Sequence, residues 1–147
     1  MSIFDSFSIN ASGLTAEQYR MDVISENIAN IDTTRTEDGT PYRRKLVTFE
    51  EKGKNGTFAS ALAKAKGDYI GGGVRVGKTY EDTETEMKMV YDPSHPDADE
   101  NGYVTYPNVN VITEMTDLID ASRSYEANAT AFSASKSMAV KGLEMAQ

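Results

Sequence analysis

The stretch VITEMTDLIDASRSYEANATAFSASKSMAVKGLEMAQ (Val111–Gln147) decides the architecture. Apolar or small side chains recur every seven residues at Val111, Leu118, Tyr125, Phe132, Ala139 and Ala146. Met115, Ala129 and Leu143 fill positions four later, with Ser122 and Lys136 interrupting the series. Spacings of three and four place side chains on one face of an α-helix. Pro107, Asn108 and Asn110 punctuate its start. Glu114, Asp117 and Asp120 cluster near the N-terminal end and Lys136 and Lys141 near the other, each sign complementing the helix dipole. A helix of about 35 residues would be about 50 Å long.

A second stripe precedes it. Phe7, Leu14, Met21 and Ile28 are also seven apart, with Ala11, Ile24 and Ile31 at offsets of three or four. Ser2–Asp5 and Thr15–Gln18 both read as capping starts. Gly13 lies inside the run, where glycine costs roughly 1 kcal/mol against alanine, and predicts a kink or fraying there. Asn30 is suited to a left-handed C-terminal cap, and Thr33-Thr34 begins a loop.

An amphipathic helix cannot bury its apolar stripe alone. Two arrangements satisfy the pattern. The helices pair only with each other, as an intramolecular hairpin packed on the middle of the chain, or they pair and also contact neighbouring chains. The candidate interface residues are Leu14, Met21, Ile24, Ile28, Leu118, Tyr125, Phe132 and Leu143.

Residues 37–107 carry nine of the eleven glycines and all four prolines. Short strands are predicted at Tyr42–Phe49, Val74–Tyr80, Glu86–Tyr91 and Tyr103–Tyr106. Glu37-Asp38-Gly39 and Gly71-Gly72-Gly73 are turn signals. Phe58–Ala65 reads as two helical turns within a variable stretch, 50–73. The expected organisation is a helical segment 1–36, a β-rich middle element 37–107 and a long helix 108–147. The fold class is α+β: terminal helices pairing as an antiparallel coiled coil, with a small β-rich element between them.

Composition narrows the chemistry. The formal net charge is −8, and no Lys/Arg cluster is larger than Arg43-Arg44-Lys45, which excludes a nucleic-acid footprint. With no cysteine and one histidine, thiolate catalysis, disulfides and sites needing two imidazoles are ruled out. No run of 18 apolar residues exists, so no helix spanning a bilayer and no lipid insertion is expected. Asp5 stands where a secretory signal wants a cation, and no apolar segment follows, so a conventional cleaved export signal is not expected. Apolar residues make up 39% of the chain, below the usual 45–50% or so, which argues against a large self-sufficient core.

Asp97-Ala-Asp99-Glu-Asn101-Gly102 matches the opening of a calcium loop, and a calcium-binding interaction module using Asp97, Asp99 and Asn101 is the alternative reading. Asn108 occupies the twelfth position instead of a bidentate Glu, and Pro93, Pro96 and Pro107 obstruct the flanking helices, so a solvated acidic turn is favoured. Gly71-Gly72-Gly73 feeds an alternating strand rather than a helix, unlike a phosphate cradle. No Gly-x-Ser-x-Gly elbow occurs, and nothing singles out one carboxylate pair for a hydrolase. No cofactor and no enzyme activity are expected.

The run Ala11-Ser-Gly-Leu-Thr-Ala-Glu-Gln-Tyr-Arg-Met-Asp-Val-Ile-Ser-Glu-Asn27-Ile-Ala-Asn30 resembles the N-terminal signature of bacterial flagellar rod and hook proteins. Pro41-Tyr42-Arg43, Tyr91–Val104, Pro107–Asn110, Ala121–Asn128 and Lys136-Ser-Met138 resemble the proximal-rod members of that family. The resemblance spans both ends and most of the middle, leaving out 50–73. It implies a structural subunit of the basal-body rod, whose terminal helices line the inside of a helical, torque-bearing tube, with a β-rich element outside. It also implies self-association in the rod, the other proximal rod proteins and the distal rod protein as partners, and passage through the flagellar type III export apparatus. Apolar stripes on long helices suit the heterologous, non-closing contacts that build helical assemblies.

Overall fold

The computed structural model describes residues 3–53, 62, 65–66 and 71–145. Its elements are α1 (Ile3–Ala29), β1 (Lys45–Glu51), β2 (Val74–Glu81), β3 (Lys88–Tyr91), β4 (Tyr103–Tyr106) and α2 (Val111–Glu144). Two long helices thus flank a β-rich middle, the α+β arrangement expected. β1 pairs with β2 and β3 with β4, as separate two-stranded sheets. The two helical turns expected at Phe58–Ala65 fall largely outside the described residues.

The chain divides into two compact units that each draw on both helices. One comprises Met1–Tyr19, Thr48–Gly77 and Ala121–Gln147. Here the helices run antiparallel, since Phe7 meets Phe132 edge-to-face at 5.1 Å while Gly13, further along α1, faces Asn128, further back along α2. α1 passes unbroken through Gly13. A Cβ at that position would stand 2.9 Å from Asn128 Oδ1, so the missing side chain is what admits the partner helix. Ala16 and Ala121 are fully buried in the same unit. Gly73 adopts φ +99°, and a side chain there would collide with Ser12 and meet the Ile9 backbone. Ser12 Oγ donates to the Ile9 carbonyl and accepts from the Val74 N–H at 3.0 Å, fastening the start of β2 to α1.

The other unit comprises Arg20–Val47 and Lys78–Asp120. β3 and β4 pair antiparallel, with Val90 opposite Val104 and Tyr91 opposite Tyr103. Val104 is completely buried, whereas Met89, Tyr91 and Tyr103 on the other face are exposed. α1 ends at Ala29, as Asn30 led us to expect, but by a different device. No non-glycine residue among those described has positive φ. Asn30 instead turns its side-chain amide back to donate to the Glu26 carbonyl at 2.9 Å. At the start of α2, Asn110 Oδ1 accepts from the N–H groups of Ile112 and Thr113, an N-cap that satisfies donors the helix leaves orphaned.

Candidate assembly interface

The second unit is held together by polar groups that water barely reaches. Asn27 on α1 is 1% exposed, and all four of its hydrogen-bonding capacities are used. Its Oδ1 accepts from the Lys45 N–H at 2.8 Å and from the Tyr42 hydroxyl at 2.9 Å. Its Nδ2 donates to the Lys45 carbonyl at 2.9 Å and to Glu114 Oε2 at 3.0 Å. The amide therefore pairs with the backbone of β1 as a strand would, and with a carboxylate of α2 on the far side.

Glu114, also 1% exposed, receives Arg44 Nε on its other oxygen at 2.6 Å, and Arg44 reaches on to Asp117 at 3.2 Å. Asn108 extends the network: its Oδ1 accepts from the Arg44 N–H, and its Nδ2 donates to the carbonyls of Asp82 and Thr85. Asp82 accepts from the N–H groups of Glu84 and Thr85 and from the Thr85 hydroxyl. The bonds from Thr85, then those from Glu84, hold its carboxyl below the usual carboxylate range. The Tyr42 phenol is pushed up to about 12, by burial first and then by the negative charges of Glu26, Glu114 and Glu81.

With a carboxylate facing inward, the first turns of α2 are inside out. Ile112 is 78% exposed and Met115 53%, with Val111 and Ile119 also exposed. Positions 112, 115 and 119 are spaced by three and four and form one outward face. The sequence pattern had put Val111 and Met115 on the inward stripe. The inward positions here are Glu114, Leu118 and Ala121, because Glu114 finds Arg44 and Asn27 inside. In the first unit, Met138, Val140 and Leu143 are likewise exposed along the end of α2, as is Met145 just past it.

The eight candidate interface residues divide by burial. Ile24 is buried within the chain; Leu14, Met21, Ile28, Leu118, Tyr125 and Phe132 are half-buried; Leu143 is 71% exposed. Sequence reasoning missed Asn27, Tyr42, Arg44, Asn108 and Glu114 as a unit. A signal existed: Asn27 follows Ile24 by three and Glu114 precedes Leu118 by four, so both polar residues stand on the apolar stripes.

The acidic turn is committed to its own chain. Asp99 Oδ1 accepts from the N–H groups of Asn101 and Tyr103, and Gly102 closes the turn at φ +81°. Asp97 accepts from the Thr34 hydroxyl and pairs with Arg35 at 3.6 Å. Among the described residues no group of three or more His, Cys, Asp or Glu is arranged to hold a metal ion, and no helix is long and apolar enough to cross a membrane.

A family model described as flagella basal body rod protein matches residues 7–35, and one described as flagellar basal body rod FlgEFG protein C-terminal matches residues 100–145. Over 99% of both chains, the sequence is 46% identical to the flagellar basal-body rod protein FlgC of Bacillus subtilis. The chain belongs to the FlgC family of flagellar basal-body rod proteins. It is similar also to the FlgC proteins of Borreliella burgdorferi, at 45% identity over 100% of this chain and 99% of that one, and of Salmonella typhimurium, at 39% over the whole of both. The two ranges matched by the family models carry the two long helices, with Asn27 in the first and Asn108 and Glu114 in the second. FlgC-family proteins are structural rod components of the flagellar basal body.

Proposed function

We propose that this FlgC-family chain builds the proximal rod through its terminal helices, joining copies of itself, the other proximal rod proteins and the distal rod protein into a helical tube that transmits torque for motility. The observation that carries this reading is the inverted start of α2, which buries Glu114 and turns Ile112, Met115 and Ile119 to the outside. Exposing these large apolar groups together is unfavourable for an isolated chain and becomes favourable once a neighbour covers that face. The half-buried edges of Leu14, Met21, Ile28, Leu118, Tyr125 and Phe132, and the exposed Leu143, supply further contacts, while Ile24 acts by holding α1 in place. Its role is mechanical, without catalysis, and the chain reaches the rod through the flagellar type III export apparatus.

The test is the triple variant Ile112→Ser/Met115→Ser/Ile119→Ser, produced in cells that lack the wild-type chain. Its helicity in solution should match wild type, while it should be missing from purified basal bodies and the cells non-motile. Normal incorporation and motility would overturn the reading.

A further inference from the structure

We propose that Glu114 sets the register of α2 on α1, a task the heptad pattern cannot perform. The apolar repeat is degenerate. A slip of seven residues would bring Phe7 against Tyr125 or Ala139 instead of Phe132, and Gly13 against Ala121 or Ser135 instead of Asn128. Each replacement is again apolar, or small enough to pass the glycine. The seam therefore offers neighbouring registers of similar quality, separated along the axis by about 10 Å.

Glu114 removes that degeneracy. Its two oxygens are held by groups fixed elsewhere: Oε2 by the Asn27 amide, and Oε1 by Arg44. Asn27 cannot follow a sliding α2, because its three other bonds go to Tyr42 and to the backbone of Lys45. Arg44 cannot follow either, because its carbonyl accepts from the Asp82 N–H. After a seven-residue slip, Ala121 or, in the other direction, Pro107 would stand opposite Asn27, and Glu114 would be left without its buried partners. A polar group inside an apolar seam is a known way of choosing one register among several. The inference concerns the single chain and does not rest on the rod reading.

The experiment uses the full chain, which has no cysteine, with spin labels attached at Asp22→Cys and Thr113→Cys, both exposed positions. Pulsed electron–electron distance measurement should give one narrow population. In the Arg44→Met/Glu114→Met background, which replaces the ion pair by apolar side chains, a second population should appear, displaced in line with a one-heptad slide and with helicity kept. Should that variant lose its helicity, Glu114→Gln carries the test. Whichever way its amide turns, one N–H faces another donor, at Arg44 or at Asn27, so a second population is again required. A single wild-type distance in either helical variant would overturn the proposal, as would a broad distribution in the wild-type network. Exclusion of the Ile112/Met115/Ile119 variant from basal bodies tests the rod reading separately and leaves these distances unchanged.

Discussion

Replacing Arg44 with Met would leave the Glu114 carboxylate buried beside one neutral amide. The side chains of Glu114 and Arg44 are 1% and 21% exposed, so solvent screens this pair little. Removing one partner of a buried pair costs about 3–5 kcal/mol, because the remaining charge has lost its compensation. The second contact, to the more exposed Asp117, adds about 0–1 kcal/mol. For a chain of this size the loss corresponds to roughly 10 °C or more in Tm. The assay is urea unfolding of the full chain at neutral pH, followed by far-UV circular dichroism, for wild type, Arg44→Met, Glu114→Met and the double variant. The double variant should recover more than half of the loss, since it no longer buries a charge. A cost below about 1 kcal/mol for Arg44→Met would refute the assignment of Glu114 as a paired buried charge. So would a double variant as weak as the two single losses added together.

Other consequences follow from individual contacts. Leu118→Asp or Phe132→Asp should abolish rod assembly, scored as absence from purified basal bodies; for Phe132 the substitution would also remove the ring that meets Phe7 edge-to-face. Gly73→Ala should destabilise the chain by more than about 1 kcal/mol, because it combines an unfavourable positive φ with a collision at Ser12, whereas Gly142→Ala, which meets nothing within 4 Å, should be neutral or stabilising in the same thermal melt. Asp82 and Asp92 have carboxyls held below their unfolded value of 3.8, so the stability they add is present above that pH and disappears as pH falls through their folded values; Asp82→Asn should flatten this acid limb in a pH series of urea midpoints. Tyr42 has the opposite sign: raised from 10.0 to about 12, its contribution is complete below pH 10 and is lost as pH rises across that interval, and Tyr42→Phe should remove the alkaline limb.

Both helices, the four strands and their α+β arrangement were legible because periodicity and turn residues are local. Fold-determining glycines were less so. Gly13 reads locally as a weak point, and only the approach of Asn128 reveals it as a clearance for the partner helix. Asn30 reads as a backbone cap, but its side chain takes that role. Glu114 shows the limit most plainly. Beside Asp117 and Asp120 it looks like one of several acids answering a helix dipole, and its position on the inward stripe becomes meaningful only with Arg44 seventy residues away. Because that pairing turns the helix, the outward residues of its first turns are Ile112 and Met115, whereas the heptad count pointed inward for Met115.

In the assembled rod a neighbour should cover that outward face. Hydroxyl-radical footprinting of Ile112, Met115 and Ile119 should show ready modification in the isolated chain and strong protection in purified basal bodies. Equal modification in both states would contradict it.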